Sequence, residues 1–164
     1  LGILVQTNHG GALTMCGVPI GTILGKTDGL DSRSIQPDGS CIIVLATDAP
    51  LSARQLKRIA QRTFLAFGKT GSIMAHTSGD YAIAFSTSQA VIDGNGSSGT
   101  QLIQYEQLAP FFWGAIEATE ESIYDALFLA QTMRGRNGNT LEALPVEKVV
   151  KILQKNKHEP ENQT

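Results

Sequence analysis

The first part of the chain consists of short apolar runs separated by glycine-rich breaks, a pattern typical of β-strands. Residues 41–46 ("CIIVLA") are apolar without interruption, which predicts a central strand covered on both faces. Residues 1–7 and 17–25 are apolar stretches punctuated by glycine, and we expect two further strands there. Residues 26–40, which lie between the second of these stretches and the central strand, are polar and rich in Gly, Asp and Ser. They predict an exposed loop.

After the central strand, apolar residues recur at helical spacing. Ser52 and Gln55 have the Ser-x-x-Gln spacing of a capping box, which predicts that a helix begins here. Gly68 is expected to end this helix, because glycine is favoured just past a helix C-terminus. The apolar stripe that should face the core comprises Leu56, Ile59, Ala60, Thr63 and Phe67.

Two more helices are predicted in the last third of the chain. One should run from about Pro110 to Arg134, with proline in its first turn and Gly135 beyond its end. The other should begin near Pro145. We expect a loop at residues 93–99 and a disordered tail in the last eight residues ("KHEPENQT").

Residues 71–88 predict a β-hairpin whose turn is Ser78-Gly79-Asp80. Its second arm alternates large and small side chains, so that its small face can pack closely on another sheet or a strand. Strands and helices occur in segregated runs without an internal repeat. We therefore predict an α+β layered sandwich. The alternating arm comprises Tyr81, Ile83 and Phe85 on one face and Ala82, Ala84 and Ser86 on the other.

Composition narrows the class of protein. The 164 residues suffice for about one domain, with 41% hydrophobic and 17% charged residues. A net charge of −2 provides no basic field for nucleic acid or an anionic membrane. Cys16 and Cys41 form neither a disulfide framework nor a metal-ligand spacing. The chain begins inside an apolar segment without Met, and we expect it to be a piece of a longer chain.

A hydroxyl lies at the seam between the polar loop and the central strand, where Ser40 follows Gly39. Ser40 is either the last residue of a turn or a nucleophile that cleaves the chain before itself. In the second case its Oγ attacks the Gly39 carbonyl, the amide becomes an ester, and hydrolysis leaves Ser40 as a new chain start. Gly39 suits this chemistry because it lacks a Cβ and leaves its carbonyl accessible. Cys41 is a poor rival, since its side chain points to the opposite face of an extended strand.

Self-cleavage would also create a base beside the nucleophile. An amide nitrogen does not accept a proton usefully, whereas a free α-amine has a pKa of about 7.7–8.0. That value suits a general base near neutral pH, and the amine stays fixed beside its own hydroxyl. The Gly39–Ser40 seam is therefore a candidate cleavage site and Ser40 a candidate catalytic residue.

Three long runs of the chain resemble a known family. They are "DGSCIIVLATDAPLSARQLKRIAQR", "GKTGSIMAHTSGDYAIAFSTS" and "IEATEESIYDALFLAQTMRGRNGNTLEALP". Together they are similar to the DmpA-type aminopeptidases, the L-aminopeptidase/D-esterase family that includes the β-peptidyl aminopeptidases. The resemblance implies a four-layer αββα sandwich of the N-terminal-nucleophile hydrolase type, incomplete in this chain.

The resemblance also implies roles for individual residues. Precursors of the family are about twice as long and cut themselves before a serine that matches Ser40, which gives residues 1–39 as the end of an α chain and residues 40–164 as a β chain. The family's second serine and the acidic residue two places on match Ser78 and Asp80, although some members carry Glu at the latter position. An oxyanion-hole asparagine matches Asn8, and further site residues belong to the upstream segment.

Physical reasoning is compatible with these roles and leaves alternatives open. Ser78 and Asp80 are either hydrogen-bond partners of the Ser40 amine or ordinary turn residues. Asn8 is either an amide donor to a developing oxyanion or a residue that ends a strand. The resemblance implies small peptide, amide or ester substrates, no metal or organic cofactor, and assembly as an oligomer of αβ heterodimers.

Two other functions remain open at this point. Enzymes such as ornithine acetyltransferase share the fold but use a threonine nucleophile to pass an acyl group to an amine. The serine at position 40 and the "ATDAPL" run favour hydrolysis. The other alternative is a non-catalytic remnant that never matures.

Overall fold

The computed structural model describes residues 1–8, 10–27, 39–92 and 102–157. Three strands form the main sheet in the order β1-β2-β3: β1 is Gly2–Asn8, β2 is Ser40–Thr47 and β3 is Tyr81–Ser86. β1 pairs antiparallel with β2, and β3 pairs parallel with β2. The helices are α1 (Ile20–Leu24), α2 (Ala53–Thr70), α3 (Gln89–Ile92), α4 (Ala109–Leu129) and α5 (Val146–Lys157), and a two-stranded ribbon joins β4 (Met133–Arg134) to β5 (Thr140–Leu141).

Helices α2 and α4 cover one face of the sheet. Cys41, Ile43 and Leu45 of β2 point toward them and are fully buried, together with Ile59 and Phe67 of α2. The opposite face is open along the described residues. The described residues of this chain therefore cover only one face of the uninterrupted apolar run of β2. Its open face carries large apolar side chains that include Leu4, Ile42, Tyr81, Ile83 and Phe85.

The predicted hairpin at residues 71–88 is wrong. Residues 72–80 form no strand, and β3 lies parallel to β2 because the intervening α2 returns the chain across one face of the sheet. Met74 adopts a left-handed backbone conformation, and the N–H of Ser78 donates to the Ala75 carbonyl, 2.8 Å away. The predicted alternation of the second arm is confirmed, but within the described residues its small side chains Ala82 and Ala84 pack on the helix layer and not on a second sheet or a strand.

The strand predicted at residues 17–25 is also wrong. This stretch contains the short helix α1, preceded by a single β-bridge between Met15 and Val18 and ended by Gly25 in the left-handed conformation. An apolar run of this length fits a strand or a buried helical turn equally well by periodicity. The strand predicted at residues 1–7 is confirmed as β1.

The predicted helix starts are confirmed more closely than the helix ends. The Ser52–Gln55 capping box is present, whereas α2 continues through Gly68 and ends at Gly71, whose φ is +93°. Helix α4 ends at Leu129 rather than near Arg134, because the chain turns extended at Ala130 and then enters the β4–β5 ribbon.

The remaining sequence expectations concern segments that are only partly described. The polar loop at 28–38, the loop at 93–99 and the tail at 158–164 lie outside the described residues. Within the described ranges, no helix combines the length and the apolar character that crossing a membrane requires.

Candidate active site

The pairing of β1 with β2 brings Asn8 next to Ser40. These two residues are direct partners in the antiparallel register, at the last position of β1 and the first of β2. Directly paired residues project to the same face of a sheet. Both side chains are exposed and lie on the open face, while Cys41 points the other way and is fully buried. The expected opposition of Ser40 and Cys41 is thus confirmed.

The Ser40 hydroxyl is held between two backbone groups. Its Oγ donates a hydrogen bond to the carbonyl oxygen of Gly39 at 2.6 Å. The same Oγ accepts a hydrogen bond from the N–H of Gly79 at 3.1 Å. A hydroxyl in this position lies directly beside the carbonyl group of the Gly39–Ser40 peptide bond.

The carboxylate of Asp80 lies beside Cys41, the residue that follows Ser40 on β2. Its Oδ1 accepts a hydrogen bond from the Cys41 N–H at 2.9 Å. This contact replaces a backbone pairing, because the parallel ladder between β2 and β3 begins only at Ile42 and Tyr81. Residues 79 and 80 therefore fix the start of β2 through two adjacent bonds, one to a side chain and one to the backbone.

Burial and the neighbouring charge act together on the Cys41 thiol. Desolvation, and to a lesser extent the negative charge of Asp80, raise the pKa of Cys41 to about 11. A thiol with this pKa is protonated at neutral pH, and the protonated form is a weak nucleophile. At the start of β2, the exposed side chain is therefore the Ser40 hydroxyl and not the Cys41 thiol.

The Ser78 side chain makes no hydrogen bond to Ser40 or Asp80. Its Oγ is buried and has no hydrogen-bond partner among the described residues. A buried hydroxyl without a partner costs roughly 1–3 kcal/mol, so such groups in native proteins usually meet a water, an ion or a further group. Ser78 thus retains its capacity to donate and to accept a hydrogen bond at this site.

Sequence reasoning did not identify the Gly79 N–H as part of the site. Every residue except proline carries a backbone N–H, so no residue type indicates this donor. A Cβ at Gly79 would lie 3.4 Å from Ser40 Oγ and 3.6 Å from the Tyr81 ring, in ordinary van der Waals contact, so the site does not require glycine there for space.

Comparison with known proteins assigns the chain to a family. Residues 1–141 match the family model of peptidase family S58, and the chain belongs to that family. It is 35% identical over 170 residues to the beta-peptidyl aminopeptidase BapA of Sphingosinicella microcystinivorans, a match that covers 94% of this chain and 43% of that protein.

Two solved structures show the same fold. The L-aminopeptidase D-Ala-esterase/amidase of Ochrobactrum anthropi, a prototype of the serine aminopeptidases and a variant of the Ntn hydrolase fold, superposes with a TM-score of 0.73 at 25% identity. The PH0078 protein of Pyrococcus horikoshii OT3 superposes with a TM-score of 0.70 at 28% identity. Each match covers 95% of this chain and 48% of the other, so the chain spans about half the length of these relatives. The predicted α+β class and resemblance to N-terminal-nucleophile hydrolases are confirmed.

Proposed function

We propose that this chain is part of a self-processing aminopeptidase whose nucleophile is Ser40. The observation that carries the proposal is the 2.6 Å contact between Ser40 Oγ and the Gly39 carbonyl oxygen, at an exposed strand start opposite Asn8. The BapA relative and the Ochrobactrum enzyme are aminopeptidases by name, which supports the same class of reaction for the whole protein.

Maturation would be an intramolecular acyl shift. Ser40 Oγ attacks the carbonyl carbon of Gly39, the new C–O bond forms, and the C–N bond to Ser40 breaks as the nitrogen takes up the hydroxyl proton. Water then hydrolyses the Gly39 ester, which returns the hydroxyl to Ser40 and leaves its α-amine free. The Gly79 N–H holds Oγ beside the carbonyl group, and such positioning lowers the entropic cost of the attack.

Turnover would use the same atoms on a second carbonyl group. The α-amine of Ser40 takes the proton from Oγ, and Oγ attacks the carbonyl carbon of a small peptide, amide or ester substrate. The leaving amine or alcohol departs with that proton, and water resolves the acyl-enzyme to release the free acid. The amide NH₂ of Asn8 would donate to the oxyanion in both steps, a contribution of roughly 3 kcal/mol for such a donor.

The upstream segment of the same precursor is the partner we propose for the open sheet face. Leu4, Tyr81 and Ile83 expose 69%, 65% and 58% of their surface there, in one continuous apolar layer on the face that carries Ser40. A sheet of this kind is normally buried on a second layer. In the full-length protein, a cross-linker placed at position 83 should link to the upstream segment; a face that remains fully reactive to solvent probes would refute the pairing.

Hydrolysis and acyl transfer begin with the same acyl-enzyme and differ in what resolves it. In a hydrolase, added amines divert little of the product, whereas in an acyltransferase they take most of the acyl group. An acyl-acceptor competition assay on the matured protein distinguishes these cases. We propose hydrolysis on the basis of the aminopeptidase relatives, and assembly of the αβ units into an oligomer remains a prediction.

The decisive test of the proposed function is Ser40→Ala in the full-length protein. Intact-mass measurement should show that the parent protein yields a fragment beginning at Ser40 and that the variant stays uncut after long incubation. Cys41→Ala is the matched control, because it removes the adjacent thiol, keeps the hydroxyl and should still cleave. A fragment beginning at residue 40 in the Ser40→Ala variant would refute self-cleavage. A parent protein that never cleaves would instead indicate a non-catalytic remnant.

A further inference from the structure

The segment that follows Asn8 is bound to the end of helix α2 by backbone contacts. The N–H of Ala12 donates to the Gly71 carbonyl at 3.0 Å, and the N–H of Thr14 donates to the Thr70 carbonyl at 3.0 Å. We call the backbone crossing of Gly11 and Ala12 with Gly71 the glycine clasp. It lies three residues beyond Asn8 along the chain.

The clasp has no room for a side chain. A Cβ on Gly71 would overlap the Ala12 carbonyl group, and a Cβ on Gly11 would overlap the Gly71 carbonyl group. Both residues also adopt backbone conformations that L-residues rarely take, with φ of +93° at Gly71 and +148° at Gly11. The two chain segments therefore approach this closely only because both positions are glycine.

The part of this segment that follows Thr14 also contacts the helix layer. Met15 and Ile20 are buried in a cluster with Val149 of α5. The N–H of Cys16 donates to the Tyr124 hydroxyl of α4 at 3.4 Å. Residues 10–27 are therefore seated on the helix layer as a unit that begins at the clasp.

We infer that the glycine clasp is a positioning device for the Asn8 side chain. Asn8 is the last residue of β1, and a strand end with no further anchor opens readily. The β1 ladder holds Asn8 from one side, and the clasp holds it from the other, three residues away along the chain, within about 10 Å. Asn8 is thereby kept opposite Ser40. This inference rests on the proposed function, because it assigns Asn8 its role at the reacting carbonyl group.

Gly71→Ala in the full-length protein tests the clasp, and Gly68→Ala is its matched control. Gly68 lies one turn earlier on the same helix, and a Cβ there would have no atom within 4 Å. A displacement of about 1 Å in a reacting group can lower rates about a hundredfold, and we expect Gly71→Ala to lower kcat/KM at least about tenfold. Gly68→Ala should change it less than about twofold, since alanine is favoured in a helix.

A double-mutant cycle separates positioning from general damage. If the clasp acts through Asn8, then Gly71→Ala should cost less than about twofold in an Asn8→Ala background. Hydrogen exchange should also be faster at the Ala12 and Thr14 amides and at the Asn8 end of β1 in Gly71→Ala, while the amides in the middle of β1 remain protected. An equal loss in both backgrounds would overturn the inference.

A second variant covers the case in which Gly71→Ala does not fold. Tyr124→Phe removes the hydroxyl that accepts the Cys16 N–H and donates to Glu120, and it adds no atoms. For a hydrogen bond of about 1 kcal/mol, kcat/KM should fall by at most about fivefold, and the fall should again vanish in the Asn8→Ala background. Normal activity in Asn8→Ala itself would refute the catalytic role of Asn8 in the proposed function. If Asn8→Ala is impaired but the clasp variants lower kcat/KM equally in both backgrounds, only the role of the clasp is refuted.

Discussion

Substitution of Asp80 separates what its charge does from what its hydrogen bond does. The carboxylate accepts the Cys41 N–H at 2.9 Å, so it holds the backbone just after Ser40, the proposed nucleophile. Asp80→Asn removes the charge and keeps an oxygen that can accept this bond. Asp80→Ala removes both the charge and the acceptor.

The geometric part of the effect follows from the bond to Cys41. A hydrogen bond to a charged acceptor contributes roughly 1.5–3 kcal/mol, and a neutral acceptor about half of that. We expect Asp80→Ala to lower the free energy of unfolding by about 1.5 kcal/mol, at the lower end because the contact is only partly buried. Asp80→Asn should lower it by well under 1 kcal/mol.

The electrostatic part acts on the free amine of Ser40 after cleavage. A carboxylate that binds the next backbone N–H lies roughly 5–6 Å from this nitrogen, and an effective dielectric constant of about 40–80 gives about 0.7–1.7 kcal/mol. The negative charge favours the protonated amine and so raises its pKa by about half to one unit. Activity needs the neutral amine, so Asp80→Asn should move the acidic limb of the kcat/KM profile to lower pH by that amount.

The assay is the pH dependence of kcat/KM for the matured parent protein and both variants, with active-site titration to count the competent Ser40. Both variants should still react with the titrant, because the nucleophile is unchanged. Asp80→Ala should show the same shift of the acidic limb as Asp80→Asn and a larger loss of rate. If Asp80→Asn leaves rate and profile unchanged, the carboxylate only holds the turn and the reasoning fails.

Three further predictions concern the neighbouring side chains. Asn8→Ala should mature slowly and turn over substrate about a hundredfold more slowly if its amide stabilises the oxyanion; a near-normal kcat in matured variant protein removes it from the site. Ser78→Ala should lower the rate with a smaller shift of the acidic limb than Asp80→Asn, and an unchanged rate would leave Ser78 a turn residue. Because the pKa of Cys41 is raised to about 11 and its side chain is buried, iodoacetamide at pH 8 should label the exposed Cys16 and spare Cys41 until the protein unfolds, as peptide mass mapping would show.

Local patterns predicted the elements whose signals are contained within a few residues. The α2 start followed from Ser52 and Gln55, because both partners of a capping box belong to the same turn. The opposition of Ser40 and Cys41 followed from the period of an extended chain. In each case the physical cause lies within four residues of the chain, and no tertiary contact was needed.

The errors occurred where a distant segment decides the conformation. Residues 17–25 fit a strand by pattern, yet they contain the short helix α1, in which Gly21 packs so closely on the backbone of Leu13 and Lys26 that a side chain would not fit. The end of α2 moved from Gly68 to Gly71 because the clasp needs a left-handed glycine where α2 meets residues 11–14. Neither requirement is visible in the local sequence.

The site itself depends on the direction in which β3 pairs, and the predicted hairpin had this direction wrong. Parallel strands that are joined by a helix on one face start at the same edge of the sheet. The residues just before β3, 78–80, therefore meet the residues at the start of β2, and the antiparallel β1 ends at this edge with Asn8. In open α/β sheets, ligands usually bind at the carboxyl ends of the strands. The proposed cleavage would place the reacting groups at the opposite end of the strand. Ser40 would carry both a free amine and a hydroxyl, and a free α-amine exists only at a chain start, here the amino end of β2.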